Sequence, residues 1–198
     1  MPSIAKSTLE QLRLKVAAGP TPAGVAVAAV AASLALSLLA MSLEVSAGKK
    51  SATGSRVALG RMRRAAARES LRMLDYADRD VAAFDAYLKS RRRGARPRAV
   101  NAALTRAIET PLKIARAAIG GLELCLEAAP LVHRAVAADL GTGAAMLAAA
   151  ARAAARSAES NLRYVAPGNP ARKRVLAERR LLERRAGAML QRILKIIG

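Results

Sequence analysis

Between Ala23 and Leu43 the chain carries no charged residue, and this run limits the possible folds more than any other feature. As a helix it is long enough to cross a bilayer. Its hydrophobicity is modest, because Ala dominates and Ser33, Ser37 and Ser42 recur through it. Val45-Ser46-Ala47 looks like a signal-peptidase site, yet the segment before it is long and amphipathic, and a signal core is usually shorter. A helix that is apolar on every side belongs inside a protein. The expectation is therefore a buried central helix, with no membrane span.

The rest of the composition agrees. Hydrophobic residues make up 53% but aromatics only 2%, with no Trp and the single Phe84. Ala and Leu, the best helix formers, supply the apolar mass, and β-branched or aromatic runs that would mark strands are nearly absent. We expect an all-α, elongated helical bundle forming one domain over residues 1–198. Helices this apolar exceed what one thin bundle can cover, so a dimer is expected.

Punctuation divides the chain into helices. Leu9, Leu12 and Val16 mark a short first helix, stopped by Gly19-Pro20-Thr21-Pro22. The apolar helix follows over Val25 to Val45, then a polar loop to Gly54. From Ser55 to Ser90, Met73, Ala77, Val81, Phe84 and Leu88 form one stripe while Arg61, Arg64, Arg68, Arg72 and Arg79 form another. Ala99 to Ala128 is helical, with Pro111 expected to start a new helix capped by Thr110. Leu131 to Val165 is helical and loosened at Gly141 and Gly143, and a last amphipathic helix follows Pro167-Gly168-Asn169-Pro170.

Net charge is +20, from 34 Lys and Arg against 14 Asp and Glu. That suits an anionic partner or a solvated Arg-rich surface. The densest run, Arg91 to Arg98, lacks the aromatics that stack on bases, and no nucleic-acid-binding module is present, which ranks nucleic acid low. One cysteine, Cys125, permits no internal disulfide and fits a reducing, cytoplasmic compartment. With His133 the only histidine, no zinc site is expected.

Four segments, in order, resemble a known family. Pro20-Thr21-Pro22-Ala23-Gly24-Val25 is similar to the Pro-Thr-Pro-Gly-Gly-Gly signature opening the buried helix of formiminotetrahydrofolate cyclodeaminases and bacterial methenyltetrahydrofolate cyclohydrolases. Asp78 to Asp85 resembles that family's acidic segment, and Ala107-Ile108-Glu109-Thr110-Pro111-Leu112 its helix-breaking proline. Ala137-Ala138-Asp139-Leu140, followed by Asn161-Leu162, is similar to its Ser-Asp and Asn-Leu elements. The Lys49-Lys50 pair also fits. The resemblance implies a folate substrate in a groove near a homodimer interface, with no metal and no organic cofactor. It assigns substrate contacts to Thr21, Pro22, Ala23, Gly24, Val25, Lys49, Lys50 and Asn161. Two elements depart from the family pattern. Ala23 and Val25 replace glycines, and Val132-His133-Arg134-Ala135 stands where a Gly-Asn would precede the Ser-Asp.

Opening or closing a cationic methenyl bridge calls for a carboxylate that steadies the cation and moves protons. Asp139 is the first catalytic candidate and Asp80 the second. Asp139 is the only acid between Ala128 and Ser157, although it can equally cap a helix start; Asp80 borders the apolar stripe, although it can equally pair with a surface Arg. His133 is expected to be structural. The expected activity is methenyltetrahydrofolate cyclohydrolase-like, favoured over formiminotetrahydrofolate cyclodeaminase because no formiminotransferase domain accompanies the chain. The alternative from another class is an inactive relative that scaffolds an acidic partner.

Overall fold

The computed structural model describes residues 3–49 and 54–198. Among the described residues there are six α-helices and no strand: α1 (Leu9–Ala18), α2 (Gly24–Ala47), α3 (Arg56–Arg92), α4 (Pro97–Ala128), α5 (Ala137–Ser160) and α6 (Pro170–Ile197). Short 3₁₀ turns sit at Ile4–Lys6, Arg134–Val136 and Asn161–Tyr164. Helices α2, α3, α4 and α5 pack as a ring in which α2 touches α3 and α5, and α4 touches the same two; α6 lies across α4 and α5.

Small residues let these helices approach closely. A Cβ on Gly143 would sit 3.1 Å from the carbonyl oxygen of Ala35, so α5 rests on the backbone of α2 only because that position is glycine. Leu36, Leu39, Met73, Leu122, Leu147 and Ile193 fill the interior and are fully buried. Serines in an otherwise apolar helix satisfy one another across the α2–α3 seam. The Ser70 hydroxyl lies 3.0 Å from that of Ser33 and 2.9 Å from that of Ser37, and it is 3.0 Å from the Ser33 carbonyl.

Burial of α2 on every side is met on its inner face and not on its outer one. Half of its most apolar stretch is buried. Val27, Leu34 and Met41 form an exposed stripe at seven-residue spacing. Helix α1 departs further: none of its residues is buried, and Leu9, Leu14 and Val16 face solvent.

Pro111 does not begin a new helix; α4 runs unbroken through it. A proline inside a helix orphans the carbonyl four residues earlier. Here the orphan is Ala107, and the Asn161 side chain donates to it from Nδ2 at 2.9 Å. A residue 54 positions away repairs the break, which no local pattern reveals. The basic run Arg91 to Arg98 is half helical: α3 continues to Arg92, Gly94 turns the chain at φ 59°, and Pro97 opens α4.

The charge pattern also resolves. Acids are drawn into ion pairs that tie α6 to the ring, including Arg116–Glu178 at 2.6 Å, Arg156–Glu183 at 2.9 Å and Arg179–Glu159 at 3.0 Å. Each such exposed pair contributes little alone. The surplus arginines remain at the surface.

Candidate active site

At one end of the ring, four separate segments enclose a cavity of about 160 Å³. They are the turn before α2, the middle of α3, α4 around Pro111 and the end of α5. Local sequence puts each wall there. The prolines at 20 and 22 stop α1 and force the chain into an extended approach, with Ala23 in β conformation and the Thr21–Pro22 peptide cis. No side chain caps the first turn of α2 and that turn holds no acid, so its positive end faces this region uncapped. Thr21 is held by its hydroxyl, which donates to Asp85 Oδ1 at 3.2 Å.

The carboxyl of Asp80 is the chemically distinct group in this wall. It is 8% exposed and makes no hydrogen bond or ion pair with a described residue. Burial without a compensating charge pushes it up to about 7. Such a group exchanges its proton near neutral pH, as a general acid–base catalyst requires. Beside it, Ser157 and Ser160 at the end of α5 and Asn161 in the turn that follows bring two hydroxyls and an amide. The Asn161 nitrogen is engaged with Ala107, which leaves its Oδ1 as an acceptor.

Aromatic surface gathers at the same end. The chain has four aromatic residues. Three of them stack in series, with Phe84 6.4 Å from Tyr87 and Tyr87 5.3 Å from Tyr164 between ring centres. Phe84 lines the cavity, and so does Arg163, whose guanidinium lies 5.0 Å from the Tyr164 ring. Of these three rings only Phe84 lines the cavity, since Tyr87 is buried, so Phe84 is the ring a planar ligand there would meet.

Comparison with known proteins decides the lineage. A family profile described as Formiminotransferase-cyclodeaminase matches residues 8–179. The chain belongs to this family. The solved structures include a similar one, the crystal structure of formiminotetrahydrofolate cyclodeaminase from Thermotoga maritima. It superimposes with a TM-score of 0.90 at 22% identity, over 98% of this chain and 97% of that one. At that identity the likeness establishes the fold. None of the curated proteins matches the chain in sequence.

Set against this family's motifs, the predicted residues fall into two groups. Thr21, Ala23, Gly24, Val25, Asp80 and Asn161 all line the one cavity, and buried Pro22 belongs to the same turn. Asp139 does not join them. It sits in the first turn of α5, while Asn161 follows the last. Twenty-two residues of helix separate the two by about 33 Å. Motifs close in sequence are thus placed at opposite ends of α5, because they flank a helix of 24 residues. Asp139 there favours the positive end of its own helix. Lys49 is exposed beyond the far end of α2, equally remote from Gly24, and Lys50 lies outside the described residues.

The replaced glycines act through space rather than backbone conformation. Gly24 has no positive φ, and a Cβ there would meet nothing within 4 Å. Ala23 and Val25 put side chains into the cavity wall and so narrow it. His133 is structural: its Nδ1 accepts from the Ala135 N–H at 3.2 Å, and its own N–H donates to Ser46 Oγ at 2.9 Å. Cys125 is buried, and its thiol is pushed up to about 12, which leaves it unreactive. Sequence reasoning missed Phe84, Ser157, Ser160 and Arg163 as site residues. The only available signal was the spacing of 157, 160 and 161, which places three polar residues on one face at the end of an Ala-rich helix.

Proposed function

We propose that this family member is a methenyltetrahydrofolate cyclohydrolase, with Asp80 as its acid–base group. The observation that carries the reading is the position of Asp80: a carboxyl that burial pushes up to about 7, with no hydrogen bond or ion pair to a described residue, at the wall of a cavity built by the family's motifs. The methenyl bridge is an amidinium-like cation. Its approach favours the ionised carboxylate across a short, poorly hydrated gap. Ser157, Ser160 and Asn161 offer two hydroxyls and a carbonyl to hold a water beside it. Asp80 then takes a proton from that water as its oxygen bonds to the bridge carbon. The same proton passes to the ring nitrogen as the carbon–nitrogen bond breaks, and the proton left on the added hydroxyl is released to solvent as its oxygen becomes the carbonyl of a formyl group on the other nitrogen. No metal or organic cofactor enters this scheme.

The second reading is formiminotetrahydrofolate cyclodeamination, which forms the same methenyl species while expelling ammonia, and the neighbour's activity favours it. One assay separates the two. Purified protein given the methenyl substrate is expected to accelerate loss of its near-ultraviolet absorbance well above the uncatalysed rate. Ammonia release from the formimino substrate, with no effect on the methenyl form, would select the deaminase. Inertness toward both would favour the scaffolding role.

We further propose a cytoplasmic homodimer joined along the outer face of α2. Val27, Leu34 and Met41 are spaced symmetrically about Leu34, as a two-fold contact requires. In a chain of net charge +20, this uncharged stripe lets two like-charged copies meet. Light scattering is expected to give about twice 20.7 kDa for the wild type and a monomer for Leu34→Arg. A monomeric wild type at micromolar concentration would contradict this.

A further inference from the structure

The Asp80 cavity is too small for a whole folate. Its volume is about 160 Å³, whereas pockets that enclose ligands of this size span roughly 300–1,000 Å³. Back to back with it lies a second chamber of about 510 Å³, between the N-terminal strap and the C-terminal half of α3. The two share one wall. Thr21 and Ala23 face the smaller cavity while Pro22 faces the larger; on α3, Asp80 and Phe84 face the smaller while Val81 and Asp85 face the larger. A ligand passing over this wall leaves one chamber and enters the other.

The chamber is built by the strap and α3. Helix α1 runs beside it and buries none of its own residues. The strap is fastened at its two ends instead. The Ser3 hydroxyl and the Ile4 N–H donate to the two Asp78 oxygens at 2.6 and 2.7 Å, and Thr21 donates to Asp85. Ile4, Pro22, Val81 and Ala86 give it apolar walls. Asp78 and Asp85 accept these bonds from neutral groups, so their charges stay in the lining beside two cations. Neither cation is ion-paired with a described residue: Lys15 gives one hydrogen bond, to the neutral Ser7 hydroxyl, and Lys89 makes no hydrogen bond or ion pair with a described residue. An apolar body carrying two carboxylates would meet apolar walls and two ammonium groups with no anionic partner among the described residues.

We propose that this chamber holds the aminobenzoyl-glutamate half of the folate whose one-carbon end reacts at Asp80. The assignment rests on the folate reading above, with Lys15 and Lys89 receiving the two carboxylates. The loop carrying Thr21 then lies between the two halves of the ligand, so its fastening to Asp85 sets their alignment.

The test uses a fragment that never reaches the chemistry. N-(4-aminobenzoyl)-L-glutamate is titrated calorimetrically into the intact protein. Saturable binding is expected in the wild type. The Lys15→Glu/Lys89→Glu variant, verified as helical by circular dichroism, should lose at least about tenfold in affinity, the scale of one charged hydrogen bond. Asp80→Asn should keep wild-type fragment affinity. Absence of fragment binding by folded wild type, or equal binding by the charge-reversed variant, would overturn the proposal. Fragment binding by a protein that ignores methenyltetrahydrofolate would sustain the chamber and remove the folate enzyme reading. Turnover that is indifferent to the charge reversal would do the opposite.

Discussion

Asp80→Asn is expected to lower methenyltetrahydrofolate hydrolysis by about 10²–10⁴-fold, the range for removing a general acid–base group. The loss should fall on kcat, because the amide keeps the size and shape of the carboxyl and leaves the aromatic surface of Phe84 and the α5 hydroxyls untouched. Asp139→Asn serves as the contrast. Its side chain is half exposed at the other end of α5, so its loss is expected to change turnover by less than about threefold. Equal losses in the two variants would mean that both ends of the bundle serve one reaction centre.

The same substitution is expected to stabilise the protein above neutral pH. Burial sets the folded Asp80 carboxyl near 7, against about 3.9 in an unfolded chain. Across that window the folded protein keeps a proton that the unfolded chain has released. Stability therefore falls as pH rises through the window and levels off above it. Three units correspond to about 4 kcal/mol as an upper bound. Urea unfolding at pH 8 should thus find Asp80→Asn more stable than wild type by about 2–4 kcal/mol, and the difference should vanish below pH 4. A variant that gains stability while losing turnover has lost a group whose burial costs the fold and serves the site. No difference between the two proteins at pH 8 would mean that the carboxyl is hydrated.

Much of this arrangement could be read from sequence, for identifiable reasons. Prolines at 20 and 22, followed by an uncharged Ala-rich run, require a broken approach to a buried helix. The structure places that turn in the cavity wall. Helix content followed from Ala and Leu. What failed was whatever depends on a partner distant in sequence. Pro111 signals a break, and only Asn161 cancels it. The outer stripe of α2 cannot be told from its inner face, because Val27, Leu34 and Met41 are as apolar as the residues they flank. The sequence put Asp139 ahead of Asp80. Helix length reverses that order, carrying Asp80 into a cavity and Asp139 to the far end. Arg163 gave no local signal, since it is one arginine among many in a chain of net charge +20.

The central claim is that a buried, neutral-range carboxyl at Asp80 performs the chemistry, and the pH dependence of kcat/KM for methenyl hydrolysis tests it most directly. The uncatalysed rate must be subtracted at each pH. The account predicts an ascending limb with its midpoint near 7, as the free enzyme's Asp80 ionises to act as base. That limb should be missing from the residual activity of Asp80→Asn. A wild-type profile without that limb, or an unchanged limb in the variant, would contradict it.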